Sequence, residues 1–166
     1  MIGEEKAIVT NIAGTTRDAI DSYFENDKGK YNFIDTAGIR KKNKVSESIE
    51  KFSIMRSLLA IERADVCLML IDATEGVTEQ DTKIAGEAHE AGKGIIIVIN
   101  KWDEVEKETG TLENYKKEVY NKLGYLTYAP MLFISAKTGQ RVDKLFELIN
   151  KVAANNAMRV STSMLN

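Results

Sequence analysis

The chain has 166 residues, 43% hydrophobic and 29% charged, with a net charge of −2; this is the length and balance of one ordinary globular domain and excludes both a disordered chain and a generally basic nucleic-acid binder. One cysteine, Cys67, and one histidine, His89, exclude an internal disulfide, a cysteine-cluster zinc site and a multi-histidine metal centre, and suggest a reducing compartment. No apolar run reaches the roughly 18–20 residues of a membrane span, and Met1-Ile2-Gly3-Glu4-Glu5-Lys6 has no apolar signal-peptide core behind it, so a cytoplasmic protein is expected.

In chain order, Ile20 to Asn26 reads as a strand, Asn26 to Gly29 as a turn, and Tyr31 to Asp35 as a second strand nearer an edge, with Tyr31 and Phe33 alternating. Ile49, Phe52, Met55, Leu58 and Leu59 fall on one stripe and predict a helix over Glu47 to Arg63. Val66 to Ile71 is short and almost uniformly apolar, the pattern of a parallel strand covered on both faces. Thr78-Glu79-Gln80-Asp81 forms a capping box that opens a helix ending near Gly92. Gly94 to Ile99 is a second buried strand, and Leu112, Tyr115, Val119 and Leu123 line a helix after it. Pro130 marks the entrance of a third strand, Met131 to Ile134, and Val142, Leu145, Phe146, Ile149 and Val152 line a last helix. The alternation predicts an α/β doubly wound domain with no internal repeat, and such sheets bind ligands beyond the carboxyl ends of their strands.

Three strands end in polar clusters: Ile34 runs into Asp35-Thr36-Ala37-Gly38, Ile99 into Asn100-Lys101-Trp102-Asp103, and Ile134 into Ser135-Ala136-Lys137. In a parallel sheet all three gather on one edge. With Gly14-Thr15-Thr16-Arg17-Asp18 upstream, they resemble the motifs of the translation-factor-like GTPases, in the right order and each on its expected element. Alone, Asn-Lys-x-Asp is a polar turn after a strand, and Gly14-Thr15-Thr16 a turn rich in small residues. No Gly-x-Gly-x-x-Gly follows a strand, which argues against a dinucleotide oxidoreductase.

The resemblance implies a role for each residue. Asp103 accepts two hydrogen bonds from adjacent N–H donors that guanine presents and adenine lacks, and an unpaired carboxylate against adenine costs several kcal/mol. Asn100 supports the base and its loop, the Lys101 stem lies on the ring face, and backbone N–H groups around Ala136 face the guanine oxygen. Trp102 holds the variable position of its motif and is expected to pack; Ser135 and Lys137 complete the loop. Asp35 holds Mg²⁺, mostly through water, and Thr16 (or Thr15) supplies a hydroxyl to the same ion. Gly38 approaches the γ-phosphate, so Thr15, Thr16, Gly38 and Ile39 form the switch, with Thr36 and Ala37 between them and the strand. Ile39 stands where Ras-like GTPases carry a water-orienting glutamine; it cannot hydrogen-bond to water, and it resembles the hydrophobic replacements of GTPases that use K⁺.

Over essentially its whole length the chain resembles the EngA (Der) family of bacterial ribosome-assembly GTPases, and within it the second of two tandem GTPase domains. The carrying stretches are Gly14 to Asp21, Asp35 to Lys42, Glu79 to Gly86, Ala88 to Lys93 and the tail Arg159-Val160-Ser161-Thr162. The resemblance implies a P-loop NTPase-type three-layer fold with helices on both faces of its sheet, a GTPase domain over residues 1–158, and 159–166 as a linker toward a KH-like domain. Implied partners are GTP and GDP, the large ribosomal subunit with its RNA, and the protein's own other domains, with no membrane and no DNA. One departure is large: no Gly-x-x-x-x-Gly-Lys-Ser/Thr phosphate loop occurs. The nearest stretch, Gly86 to Lys93, has five residues between its glycines and runs from helix into strand, opposite to what a phosphate loop needs. Met1 to Glu5 corresponds to the end of the family's first helix, so the first strand and loop are expected upstream. Either the sequence begins downstream of the loop in a longer protein, or the fragment is incompetent by itself, or a second polypeptide completes it. The chain alone is expected to bind GTP at least ~100-fold more weakly than with the loop present, about 2.7 kcal/mol. The reading of another class is a nucleotide-incompetent scaffold that works through protein or RNA contacts.

Arg40-Lys41-Lys42-Asn43-Lys44 puts four positive charges in five residues directly after the γ-phosphate sensor; it reads equally as an RNA or domain contact and as a solvated loop. His89 reads as a surface or helix-packing residue, Cys67 as a buried core thiol, and Tyr125, Tyr128 and Phe133 as core or interface aromatics.

Overall fold

The computed structural model describes residues 21–34 and 47–165, the side chains of 47–54 and 160–165 excepted, and the chain divides into two units, 1–64 and 65–166. Gly14 to Asp18, Asp35 to Ile39 and the basic run Arg40 to Lys44 lie outside the described residues.

In the first unit, β1 (Ser22–Asn26) and β2 (Gly29–Phe33) pair antiparallel, with Asn26 opposite Gly29 and Ser22 opposite Phe33. The turn between them is set by Asn26, whose side-chain oxygen accepts from the Lys28 and Gly29 amides at 2.9 and 3.2 Å. The second strand thus begins two residues before the expected Tyr31, because the asparagine closes the turn early. Tyr31 and Phe33 share one half-buried side, as their alternation predicts. The helix α1 spans Glu47–Arg63. Its last arginine holds the entrance of β1: Arg63 Nη1 and Nη2 donate to the two carboxylate oxygens of Asp21 at 3.2 and 2.6 Å. The apolar stripe predicted for α1 needs correction at two positions; Leu58 is half-buried, and the side chains of Ile49 and Phe52 lie outside the described residues. Met55 and Leu59 are 65% and 61% exposed, and the helix buries Ile61 instead.

The second unit is built on three parallel strands in the order β3 (Val66–Asp72), β4 (Gly94–Asn100) and β5 (Met131–Phe133). The helices α2 (Glu79–Glu90), α3 (Thr111–Lys122) and α4 (Val142–Leu165) connect and cover them. Ile95 to Ile99 are buried on both faces of β4, which is why that strand is a continuous β-branched run. The equally apolar β3 behaves differently. Cys67, Met69 and Ile71 are buried while Val66, Leu68 and Leu70 on its other face are half-exposed, and among the described residues β3 pairs on one side only. Burial pushes the Cys67 thiol up to about 11 against the opposing pull of Lys93, so it stays protonated at neutral pH.

The capping box at the start of α2 is complete: the Asp81 amide donates to Thr78 Oγ1 at 3.1 Å and the Thr78 amide to Asp81 Oδ2 at 3.0 Å. The helix stops where Gly92 takes the left-handed conformation, φ 70°. Val119 and Leu123 of the α3 stripe and Leu145 and Phe146 of the α4 stripe enter the core. The helix α4 runs to Leu165 with no break at Arg159, where a linker is expected.

Gly94 opens β4 because α4 crosses it closely: a Cβ there would lie 2.7 Å from Val152 Cγ1. Gly94→Ala is expected to lower stability by about 1–3 kcal/mol, and adding Val152→Ala should recover most of it. Thermal unfolding of the two variants checks this.

Candidate functional site

Parallel register brings the carboxyl ends of the strands level. Asp72, the last residue of β3, lies opposite Asn100, the last residue of β4, and Ile99 lies opposite Phe133 at the end of β5. Main-chain hydrogen bonds then tie the loops beyond these ends together. The Ala73 amide donates to Asn100 O at 2.9 Å, and the Trp102 amide donates to Ile134 O at 3.1 Å.

Asn100 makes the central side-chain link. Its Oδ1 accepts from the Ala136 amide at 3.0 Å, joining the Asn-Lys-Trp-Asp loop to the Ser-Ala-Lys loop across 36 residues of sequence. The second loop is a tight turn on a fully buried Ser135. Its hydroxyl accepts from the Thr138 amide at 3.2 Å, its carbonyl from the Gly139 amide at 2.8 Å, and its amide donates to Gln140 O at 3.2 Å. Two strand-end motifs predicted from sequence are therefore adjacent and cross-linked. The Ala136 N–H, expected to face a guanine oxygen, is engaged by Asn100, while among the described residues the amide of Lys137 has no hydrogen-bond partner and its side chain is exposed.

Asp103 sits in a 3-10 turn, Trp102–Glu104, and is exposed; no described side chain pairs with its carboxylate. An exposed carboxylate held on a short turn and left without a partner can accept hydrogen bonds from a ligand with adjacent donors. Trp102 packs: it is 4% exposed, 4.6 Å from the Phe133 ring and edge-on to Tyr115 at 5.4 Å. That is the packing role expected of it, and its indole anchors the turn that presents Asp103. Lys107 closes that turn by donating to the carbonyls of Trp102 and Val105 at 2.7 and 2.9 Å.

Lys101 has the left-handed conformation, φ 63° and ψ 29°, uncommon for a lysine and stored at this strand end. Its ammonium pairs with Asp72 Oδ2 at 2.8 Å. Asp72 is the residue that the sequence reading missed, although the rule that pointed to the other strand ends points to it equally: it ends the run Val66 to Ile71. Its Oδ1 accepts from the Thr74 amide at 2.9 Å and the Thr74 hydroxyl at 2.6 Å. Burial works to raise the Asp72 pKa, but the hydrogen bonds from Lys101 and Thr74 together outweigh it and hold the carboxyl at about 2. The same hydrogen bond from Asp72 raises the Lys101 pKa, so both partners stay charged throughout the physiological range.

A cleft of about 200 Å³ lies beyond Asp72 between the loop Ala73–Val77 and Tyr115, Val119 and Lys122 of α3, and contains none of the predicted residues. Among the described residues no cluster of three His, Cys, Asp or Glu side chains could hold a metal ion, and no helix is long and apolar enough to cross a membrane. The predicted Thr15, Thr16, Asp35, Thr36, Ala37, Gly38 and Ile39 fall outside the described residues. His89 is exposed, with its Nδ1 2.9 Å from the Tyr128 hydroxyl.

Comparison with known proteins agrees with this fold. Two curated relatives called GTPase Der, from Ruminiclostridium cellulolyticum and Acetivibrio thermocellus, are 66% and 65% identical over all 166 residues. The chain spans 38% of the length of each. Among solved structures, Era from Aquifex aeolicus bound to GDP and AlF₄⁻ is 28% identical with a TM-score of 0.64, over 88% of this chain and 48% of that one. Era in complex with MgGDPNP and a segment of 16S ribosomal RNA is 28% identical with a TM-score of 0.65, over 89% of this chain and 48% of that one. The sheet and helices described above are thus those of a P-loop GTPase domain. Residues 1–101 match the family model described as 50S ribosome-binding GTPase, and the chain belongs to that family.

Proposed function

We propose that the chain carries the guanine-reading part of a GTP-binding, GTP-hydrolysing switch domain, in a protein that helps assemble the large ribosomal subunit in the cytoplasm. The observation that carries this reading is the Asn100–Ala136 hydrogen bond, with the Asp103 carboxylate on the same loop exposed and unpaired among the described residues. Asp103 would accept from the two adjacent N–H groups of guanine. Asn100 keeps the two loops at fixed spacing, and the Lys137 amide offers a donor toward the base oxygen. The family match favours this reading over a nucleotide-incompetent scaffold.

The ribosomal role is supported by the family and by the Era complex with 16S ribosomal RNA. The partners are large-subunit RNA and the protein's own other GTPase domain and KH-like domain, with residues 1–158 forming the GTPase domain and 159–166 leading to the KH-like one. Mg²⁺, when bound, neutralises charge on the β- and γ-phosphates. Asp35 and Thr16 supply a carboxylate and a hydroxyl, the hard oxygen donors that suit this ion. Thr15, Thr16, Gly38 and Ile39 would sense the γ-phosphate, and because Ile39 has no group to orient water, K⁺ is the proposed second cofactor of the complete domain.

The test is a displacement titration on the full-length protein with a fluorescent GDP. Unlabelled GDP and GTP should displace it, and ATP should need at least ~100-fold more, the discrimination expected when a buried polar match is lost. Equal displacement by ATP overturns the reading.

A further inference from the structure

We propose that Asp72 is a positioning residue of the base site: it tethers the Lys101 ammonium to the end of β3 and thereby presets the Lys101 stem across the place the guanine ring occupies. This rests on the guanine reading above and extends it to a residue outside the strand-end motifs from which that reading was built.

Three observations on neighbouring elements carry the inference. Asp72 is itself fixed: its side chain is 16% exposed, and the amide and hydroxyl of Thr74 occupy Oδ1, leaving Oδ2, among the described residues, to Lys101. The backbone sets the spacing, since Asp72 lies opposite Asn100 in the parallel register and the Ala73 amide bonds Asn100 O at 2.9 Å. Lys101 then turns through a left-handed conformation, and its ammonium ends 2.8 Å from Asp72 rather than in open solvent. A lysine loses considerable rotamer freedom when it must lie flat on a ring, and a pre-formed tether removes that cost from the binding step. An ordinary exposed ion pair contributes little because both side chains are free to move. Here one partner is immobilised before the pair forms.

The pair predicts a specific signature. The stem lies on the ring face and is indifferent to the exocyclic 2-amino group, which Asp103 reads. Loss of the tether should therefore weaken guanine and hypoxanthine nucleotides equally. In the full-length protein, Asp72→Asn should weaken GDP binding about 5- to 10-fold and IDP by the same factor, leaving their ratio unchanged. In a Lys101→Met background, which keeps a stem but has no ammonium, the same substitution should change GDP affinity less than about 2-fold. Lys101→Met alone, which leaves the Thr74 bonds untouched, should reproduce the loss and covers the case in which Asp72→Asn does not fold. An equal loss in both backgrounds that follows a fall in Tm would mean a general structural role and would overturn the proposal. So would unchanged GDP affinity in either single variant. If the unsubstituted protein does not prefer GDP over ADP, the guanine reading itself fails; if that preference is intact and only the Asp72 effect is missing, the tether alone fails.

Discussion

Asp103→Asn should convert the full-length protein's preference from guanine to xanthine nucleotides at this site. Guanine presents two adjacent N–H donors, and a carboxylate accepts both. Asparagine offers one acceptor and one donor, which matches a xanthine ring with a carbonyl at the second position and mismatches guanine. The mismatch sets an amide N–H against an amino N–H at the position where two hydrogen bonds, one of them charge-assisted, used to form. The expected loss of GDP affinity is about 100-fold or more, near 2.7 kcal/mol, with a corresponding gain for XDP. Fold stability should hardly move. Asp103 is exposed and unpaired among the described residues, so its replacement is expected to shift stability by no more than about 0.5 kcal/mol. Titrations with GDP and XDP, with a melting curve beside them, separate the two effects. An unchanged GDP to XDP ratio would remove Asp103 from the base site.

Asn100→Ala should act on both binding and stability, because its side-chain oxygen accepts the only side-chain hydrogen bond between the two loops of the proposed base site among the described residues. Truncation leaves the Ala136 amide without its acceptor. That costs about 1–3 kcal/mol for a buried donor, toward the lower end here because Ala136 is half-exposed and water can replace the oxygen. The larger effect falls on affinity. With the loops no longer held at fixed spacing, the Lys137 amide and the Asp103 carboxylate cease to be pre-organised for one ligand, and GDP binding should weaken about 10- to 50-fold. Asn100→Asp keeps an oxygen in the same place and should retain most of the Tm. A variant protein with alanine here and both Tm and affinity unchanged would show that the loops are positioned by their backbones alone.

The elements of the second unit were legible because their signals are local and physical. Ile95 to Ile99 has no polar position, so it can only be a strand covered on both sides. Thr78 and Asp81 are spaced so that each side chain reaches the other's amide, and the cap forms as read. The α3 and α4 stripes placed Val119, Leu123, Leu145 and Phe146 in the core for the same reason. Where a residue's role depends on what lies opposite, the linear pattern misled. The apolar run of β3 resembles that of β4, yet one of its faces is half-exposed, because a run of side chains does not reveal which strands flank it. Met55 and Leu59 match the helical period of α1 and still point outward, since periodicity identifies a stripe but not whether the fold covers its full length.

The candidate site divides along the same line. The sequence alone determined that Asn100, Asp103 and Ser135 to Lys137 stand at strand ends, since each follows directly from an apolar run, and the guanine chemistry proposed for them came from the resemblance these motifs carry. Only the tertiary structure decided how those groups are shared. It placed Trp102 in the core beneath the turn, engaged the Ala136 amide with Asn100, and brought Asp72 from the neighbouring strand to within 2.8 Å of the Lys101 ammonium. The physical reason is range. A capping box or a buried run is settled within a few residues, whereas Asp72 and Lys101, far apart in the chain, meet only because parallel pairing sets β3 and β4 level at their carboxyl ends.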